Sequence, residues 1–146
     1  MFRLNTINIS RFCLIKIYSA QTILTMKTYA KGARAEAELL HYLNYRGFAV
    51  MRAPSSGGSI YPLDLVAIKK GLILAFEIKH HEKKPKIGRE QLAGLREWCN
   101  RAGAIGLIGW RSAGVKWLFL RLEDAENNRY EDGNWIGMEK LIEFLF

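Results

Sequence analysis

The chain has 146 residues, of which 49% are hydrophobic and 25% are charged, and this is the size and composition of one globular domain. Its net charge of +8 favours a polyanionic partner, nucleic acid first, because each neutralised phosphate releases counterions. No apolar run approaches the ~18 residues that span a bilayer, and Cys13 and Cys99 lie far apart without metal-ligand spacing, which argues against a membrane span and a disulfide framework.

Residues 1–25 carry three basic side chains, Arg3, Arg11 and Lys16, and no acidic one. Polar residues interrupt the apolar ones before they reach the ~7 in a row that a secretory signal needs. We therefore predict a basic N-terminal extension over residues 1–25, either disordered or not native, and one domain over residues 26–146. Met26 would then be the authentic start.

The first element of that domain is a helix. The spacing predicts that it runs from Thr28 or Lys31 to Arg46 and that Gly47 ends it. Positions i, i+3, i+4 and i+7 of one stripe are Glu36, Leu39, Leu40 and Leu43. An acid on the stripe that leucines bury indicates a function, whereas the alternative is that Glu36 only complements the positive end of the helix dipole.

A short strand at residues 48–52 leaves this helix and leads into a loop, residues 53–62, that is rich in glycine, proline and serine. We predict that a loop of this composition is too rich in glycine to be rigid. Because the loop leads directly into Asp64, it is either a lid that closes on a substrate or a solvated linker.

The centre of the chain is a predicted hairpin. Apolar runs at 65–68 and 72–78 flank Lys69-Lys70-Gly71, and so short a connection with glycine favours a β-hairpin. Asp64 then begins one strand, while Glu77 and Lys79 share a face at the end of the other. Charges at the end of an apolar hairpin cost desolvation energy, which indicates a cation or a reaction. The alternative is an exposed pair of Glu77 and Lys79.

A basic loop at residues 80–86 follows, and Pro85 prevents it from continuing the strand. Its histidines, His80 and His81, are neighbours that would point opposite ways on a strand, so a solvated or phosphate-facing loop is favoured over a metal site. A second helix at residues 88–102 has on one face Gln91, Leu95, Trp98 and Ala102.

Two more strands follow, at residues 104–110 and 116–120. The remainder, residues 121–146, is predicted to be a polar connection through Asn127-Asn128 and a short terminal helix from Gly137 or Met138. The order is helix, three strands, helix and two strands. It predicts a single α/β domain in which helices flank one mixed β-sheet, because a lone hairpin cannot bury its apolar faces.

Five segments in this order carry a family resemblance. They are residues 31–40, residues 47–58, Pro62-Leu-Asp64, Glu77-Ile-Lys79 and Arg89-Glu-Gln91. Together they resemble the archaeal-type Holliday junction resolvases of the PD-(D/E)xK nuclease superfamily. The resemblance implies a restriction-endonuclease-like fold and a homodimeric nuclease that depends on Mg²⁺, with Mn²⁺ as a substitute ion. Such an enzyme cuts four-way DNA junctions by paired, symmetric nicks, and residues 26–146 would be its nuclease domain.

The resemblance also implies roles for individual residues. The implied metal ligands are Asp64, Glu77 and Glu36. The implied catalytic residues are Lys79, Glu36, Ser55 and Ser56, of which one serine would act. The family often has a basic residue directly after its helix acid, and this chain has Ala37 there, which leaves one phosphate contact open.

Candidate phosphate contacts, which would position a branch point without reading bases, are Arg34, Arg52, Lys83, Lys84 and Lys86. The implied partners are branched DNA and a second copy of the chain. Its interface would use residues among Ile105, Ile108, Trp117 and Phe119, unless these belong to the core. We expect no membrane and no small-molecule cofactor beyond the metal, and we expect the protein to act in the reducing cytoplasm, at the nucleoid.

Two other functions fit parts of the pattern. A restriction-type or repair nuclease on the same fold would cut duplex DNA, although no extra recognition domain is visible in these residues. A non-catalytic protein that binds branched DNA is expected to have lost part of the catalytic set, and here Asp64, Glu77 and Lys79 are all present.

Overall fold

The computed structural model describes residues 20–54, 60–111 and 116–146, with side chains from residue 30 onward. Residue contacts divide the chain into two units, Met1–Ala30 and Lys31–Phe146, and the sheet lies in the second. None of the helices in the described ranges is long and apolar enough to cross a bilayer.

The second unit is built on a mixed sheet. In chain order the elements are α1 (Ala20–Tyr45), β1 (Ala49–Arg52), β2 (Leu65–Lys69), β3 (Leu72–Lys79), α2 (Arg89–Ala102), β4 (Ile105–Trp110), β5 (Leu118–Arg121), α3 (Leu122–Glu126), a 3₁₀ turn (Asp132–Asn134), β6 (Ile136–Gly137) and α4 (Met138–Leu145). The described strands lie side by side in chain order, with β3 and β4 parallel and every other neighbouring pair antiparallel.

The hairpin of β2 and β3 turns at Lys70 and Gly71, which have φ angles of 49° and 84°. Positive φ at both central residues is typical of a type I′ turn, whose twist matches that of the flanking strands. The turn fixes a register in which Leu65 pairs with Phe76. The amide of Asp64 extends this pairing by donating to the carbonyl of Phe76 at 2.8 Å. Asp64 is thereby placed beside the end of β3.

Helix α2 is the crossover between the parallel strands β3 and β4. Their register pairs Glu77 with Ile108 and Lys79 with Trp110, so both strands end at the same edge of the sheet. Parallel strands need such a crossover, and this one returns the chain across one face of the sheet.

The two faces of the sheet are buried in separate clusters. The cluster on the α1 side includes Leu39, Leu43, Leu65, Phe76, Ile78 and Phe119. The cluster on the α2 side includes Val66, Ala75, Leu92, Leu95, Cys99, Ile108 and Leu120. Along β3, side chains alternate between the clusters as predicted, because successive residues of a strand point to opposite faces. Glu77 therefore lies on the face that α2 covers.

Most of the predicted elements are confirmed, including the hairpin, α2 and a terminal helix from Met138. The predicted start of α1 is wrong, because the helix begins at Ala20 and not at Thr28 or Lys31. Residues 20–27 contain neither glycine nor proline, so nothing in their sequence stops the helix there. The boundary between residues 25 and 26 falls inside α1 and stays a prediction.

The C-terminal segment holds more structure than predicted. Helix α3 and strand β6 lie in a stretch that we expected to be a polar connection. Leu122 of α3 is buried against the α2 side of the sheet, and β6 extends the sheet by pairing with β5. Tertiary packing stabilises elements too short to show periodicity.

The hydrophobic residues considered for a dimer surface lie mainly in the core. Ile108 and Phe119 are fully buried and Trp117 is nearly so, and these three cannot supply an interface. Ile105, at the start of β4, is partly exposed.

Gly106 lies where β4 passes under α2 and α3. A Cβ atom there would stand 2.9 Å from Cβ of Leu122 and 3.1 Å from Sγ of Cys99, closer than packed atoms tolerate. We expect Gly106→Ala to lower the free energy of unfolding by about 1–3 kcal/mol, as overpacked cores do. Urea denaturation measures this, with Gly133→Ala as the control, because the space within 4 Å of that position is open. Equal stability of both variants would contradict this account of the packing.

Candidate active site

Asp64 is a buried carboxylate that the neighbouring strand holds in place. Its Oδ2 atom accepts a hydrogen bond from the backbone amide of Ile78 at 2.7 Å. Its own amide donates to Phe76, and its carbonyl accepts from Ala53 at 2.9 Å. The backbone of β3 therefore fixes the carboxylate on the edge where β2 begins.

Glu77 is also buried, with a relative exposure of 4%. Its Oε1 atom accepts a hydrogen bond from Gln91 Nε2 at 2.6 Å and lies 2.8 Å from Nζ of Lys79. The alternative of an exposed pair of Glu77 and Lys79 is therefore wrong, since the acid of this pair is shielded from water. The side chain of Lys79 is partly exposed.

The electrostatics of the site are set by burial. The pKa of Glu77 is raised from 4.5 to about 7, because loss of hydration and, second, the negative charge of Asp64 outweigh the lowering effects of Lys79 and Gln91. Burial also raises the pKa of Glu36, which Arg52 lowers and Asp64 raises. Asp64 thus acts electrostatically on both other carboxylates, and a positive charge placed among the three would relieve the repulsion.

Glu36 reaches the site from α1, where its neighbours Leu39 and Leu43 are fully buried as the predicted stripe requires. Its Oε2 atom lies 2.6 Å from Nη2 of Arg52 at the end of β1. Arg52, predicted as a phosphate contact, therefore has a carboxylate partner within the chain.

The donors fit a hard divalent cation, since such ions prefer carboxylate oxygens. Within the described ranges, no three acidic, histidine or cysteine side chains stand close enough to enclose an ion by themselves. Mg²⁺ is commonly bound by one or two carboxylates together with water and substrate phosphates, so Asp64 and Glu77 fit this ion.

Comparison with known proteins assigns the family. The model of the archaeal Holliday junction resolvase (Hjc) family matches residues 27–145. The chain belongs to this family. It is therefore an endodeoxyribonuclease of the Holliday junction resolvase class, and the family and the type of enzyme predicted from the sequence are confirmed.

Individual relatives cover most of the resolvase chain. The crossover junction endodeoxyribonuclease Hjc of Sulfolobus acidocaldarius is 34% identical over 115 residues, 76% of this chain and 78% of that protein. The crossover junction endodeoxyribonuclease Hje of Saccharolobus solfataricus is 33% identical over 119 residues, 78% of this chain and 88% of that protein.

The solved structure of Archaeoglobus fulgidus Hjc, a Holliday junction resolvase from an archaeal hyperthermophile, has the same fold. It superposes with a TM-score of 0.67 at 22% identity and covers 77% of this chain and 99% of that chain. The predicted fold class, a mixed sheet flanked by helices, is confirmed.

The structure describes some of the remaining predicted residues of the resolvase and not others. Arg34, Lys83 and Lys86 are exposed, as phosphate contacts would be, and Nζ of Lys86 lies 5.8 Å from the ring centre of Tyr130. His80 and His81 belong to no metal cluster among the described residues. Ser55 and Ser56 lie outside the described residues.

Lys84 has partners within the chain. Its ammonium forms an ion pair with Asp132 and lies 6.0 Å from the ring centre of Trp110 and 5.9 Å from that of Trp135. The same Trp110 donates from Nε1 to the carbonyl of His81 at 2.9 Å. Lys84 therefore ties the basic loop to the C-terminal segment.

The sequence analysis missed Arg111, which lies beside Lys79, and its partner Glu38. The amide of Arg111 donates to the carbonyl of Lys79 at 3.0 Å, and its guanidinium Nε lies 3.2 Å from Oε1 of Glu38. Glu38 also accepts from Trp117 Nε1 at 3.1 Å. No local pattern in the sequence indicated this, because it is the parallel pairing of β3 and β4 that brings the residue after β4 beside the end of β3.

The raised pKa of Glu77 makes stability depend on pH. Its folded pKa of about 7 exceeds the unfolded value of 4.5. The contribution of Glu77 to the free energy of unfolding is therefore fully present below pH 4.5 and is lost as the pH rises through 7. The Glu77→Gln variant has no ionisable side chain at this position. We expect its free energy of unfolding to exceed that of the unmodified protein by about 3 kcal/mol at pH 8, but not at pH 4.5.

Urea denaturation with EDTA at both pH values measures this difference. The control is Glu97→Gln, because Glu97 is exposed and paired with Arg101 on the surface of α2. A Glu77→Gln variant that gains no stability at pH 8 would contradict the electrostatic account.

Proposed function

We propose that the chain is a homodimeric, Mg²⁺-dependent resolvase that hydrolyses phosphodiester bonds of four-way DNA junctions by paired, symmetric nicks. The observation that carries this proposal is the juxtaposition of two buried carboxylates, Asp64 and Glu77, with Lys79 at one sheet edge. A site built for stability alone would hold apolar residues there, because buried charges cost several kcal/mol each.

The proposed ligands of the cation are Asp64 and Glu77, with Glu36 as a third carboxylate. The ion, when bound, neutralises charge on the phosphate and activates the attacking water. Mg²⁺ is the proposed ion because the donors are hard oxygens, and Mn²⁺, which takes the same ligands, would substitute for it.

The proposed role of Lys79 is to contact the scissile phosphate or to orient the attacking water. It starts from a hydrogen bond to Glu77 and is partly exposed, so it can exchange this partner for the substrate without a change in the backbone. The hydroxyl of Ser55 or Ser56 is proposed to assist from the loop that leads into Asp64.

The proposed contacts with the phosphate backbone are Arg34, Lys83 and Lys86, together with Arg52, whose side chain is paired with Glu36 but is still 44% exposed. The net charge of +8 supports binding through phosphates, and recognition by shape suits a junction that can have any sequence. A two-fold dimer would place two sites against strands of like polarity, which makes paired cuts possible. We place this activity in the cytoplasm, at the nucleoid.

The first experiment incubates the protein with an immobile four-way junction and with a linear duplex of the same arm sequence, with and without Mg²⁺. We expect paired nicks near the branch point of the junction alone, and only with Mg²⁺. Glu77→Ala should abolish cutting while retaining junction binding, since it removes a metal ligand and no phosphate contact. Glu131→Ala, an exposed acid far along the chain, is the control and should cut normally.

Other results of this experiment favour other functions. Cutting of the duplex would indicate a restriction-type or repair nuclease. Tight binding of the junction without any cutting would indicate a non-catalytic protein, and Mg²⁺-dependent cutting by Glu77→Ala would refute the site assignment.

The basic loop offers a test of which lysines meet DNA. Each phosphate contact contributes to the slope of the binding constant against salt concentration on logarithmic axes. We expect Lys86→Met to lower the magnitude of this slope by about one and Lys84→Met to leave it unchanged, because Lys84 is paired with Asp132. Junction binding measured between 50 and 200 mM salt, roughly the range of strong dependence, decides this. An equal change in both variants would make Lys84 a phosphate contact too.

A further inference from the structure

Gln91 lies in the first turn of α2 and makes a contact that the proposed roles leave unexplained. Its Nε2 atom donates to Oε1 of Glu77 at 2.6 Å. Lys79 approaches this same oxygen, at 2.8 Å. Both described donors to Glu77 thus converge on one oxygen of the carboxylate, and the second oxygen keeps its capacity to bind an ion.

Helix α2, which carries Gln91, packs closely against the sheet. Leu92 and Leu95 are buried against the sheet. At Gly94, a Cβ atom would stand only 3.2 Å from Cβ of Pro62, so α2 approaches closely the segment that leads into Asp64. Because packing fixes the position of α2, Gln91 can hold the carboxylate of Glu77 in one rotamer.

The two donors to Glu77, Lys79 and Gln91, have different roles in the proposed reaction. In the proposed function, Lys79 turns towards the phosphate or the attacking water and thereby releases Oε1. Gln91 carries no charge and has no other assigned role, so it can keep its hydrogen bond throughout. A neutral donor also leaves the negative charge of Glu77 available to a cation, which a second lysine would not.

We propose that Gln91 is a positioning residue for the nuclease reaction. It anchors Oε1 of Glu77 from α2 and preserves the orientation of the carboxylate when Lys79 turns to the substrate. The inference rests on the proposed function, in which Glu77 is a metal ligand.

The test replaces Gln91 by methionine, which has a similar length and no donor. Loss of a hydrogen bond to a metal ligand typically costs 10- to 100-fold in metal affinity or activity. We expect the concentration of Mn²⁺ that half-saturates the rise in unfolding temperature of the full chain, measured without DNA, to increase roughly 10-fold or more. With Mg²⁺ and saturating junction, kcat should fall while the Kd for the junction stays unchanged.

The control is Asn100→Met, which removes an exposed amide from the far end of the same helix. It should leave the Mn²⁺ half-saturation, kcat and Kd unchanged. If Gln91→Met lowers only the unfolding temperature of the metal-free protein and leaves the Mn²⁺ half-saturation as it is, Gln91 has a structural role and the inference is overturned.

Failure of the proposed function gives a different result. If the unmodified protein neither responds to Mn²⁺ nor cuts the junction, the proposed function falls, and the inference about Gln91 falls with it. If the unmodified protein does both and Gln91→Met matches it, the inference alone is overturned.

Discussion

The site depends on two like charges held together out of water. Asp64 is tied to the backbone of β3, and Glu77 is tied to Lys79 and Gln91, so neither carboxylate can move away from the other. Their repulsion and loss of hydration raise the pKa of Glu77 and cost stability. This cost favours the binding of a cation here, because positive charge would recover part of the free energy that folding loses at this end of the sheet.

The topology of the sheet explains how residues that are far apart in sequence meet at this end of the sheet. The antiparallel hairpin brings the start of β2 beside the end of β3, and the parallel pairing with β4 adds the position after Trp110. Helices approach from the two faces: α1 brings Glu36 and α2 brings Gln91. Glu36, Glu77 and Gln91 are thus carried by packed helices or strands, and Asp64 directly precedes β2, which suits a site whose geometry must be accurate.

The positive charge of the chain does not translate directly into DNA contacts. Lys84 lies near the rings of two tryptophans and pairs with Asp132, and Arg52 pairs with Glu36. The C-terminal segment, which appeared from its sequence to be a polar connection, contacts the basic loop through Asp132 and Trp135, the partners of Lys84. An ordered loop presents its exposed lysines at lower entropic cost than a free one, so an internal lysine can assist binding without touching DNA.

Local patterns in the sequence determined the hairpin, the alternation along β3 and the end of α1 just before Gly47, because turn chemistry and periodicity act between neighbours in the chain. Tertiary structure alone decided the partner of Lys84, the contact of Gln91 with Glu77, the place of Arg111 beside Lys79 and the burial of Ile108 and Phe119 in the core. These depend on pairs of residues far apart in sequence, and only the packing of helices on a specific sheet order brings such pairs within bonding distance.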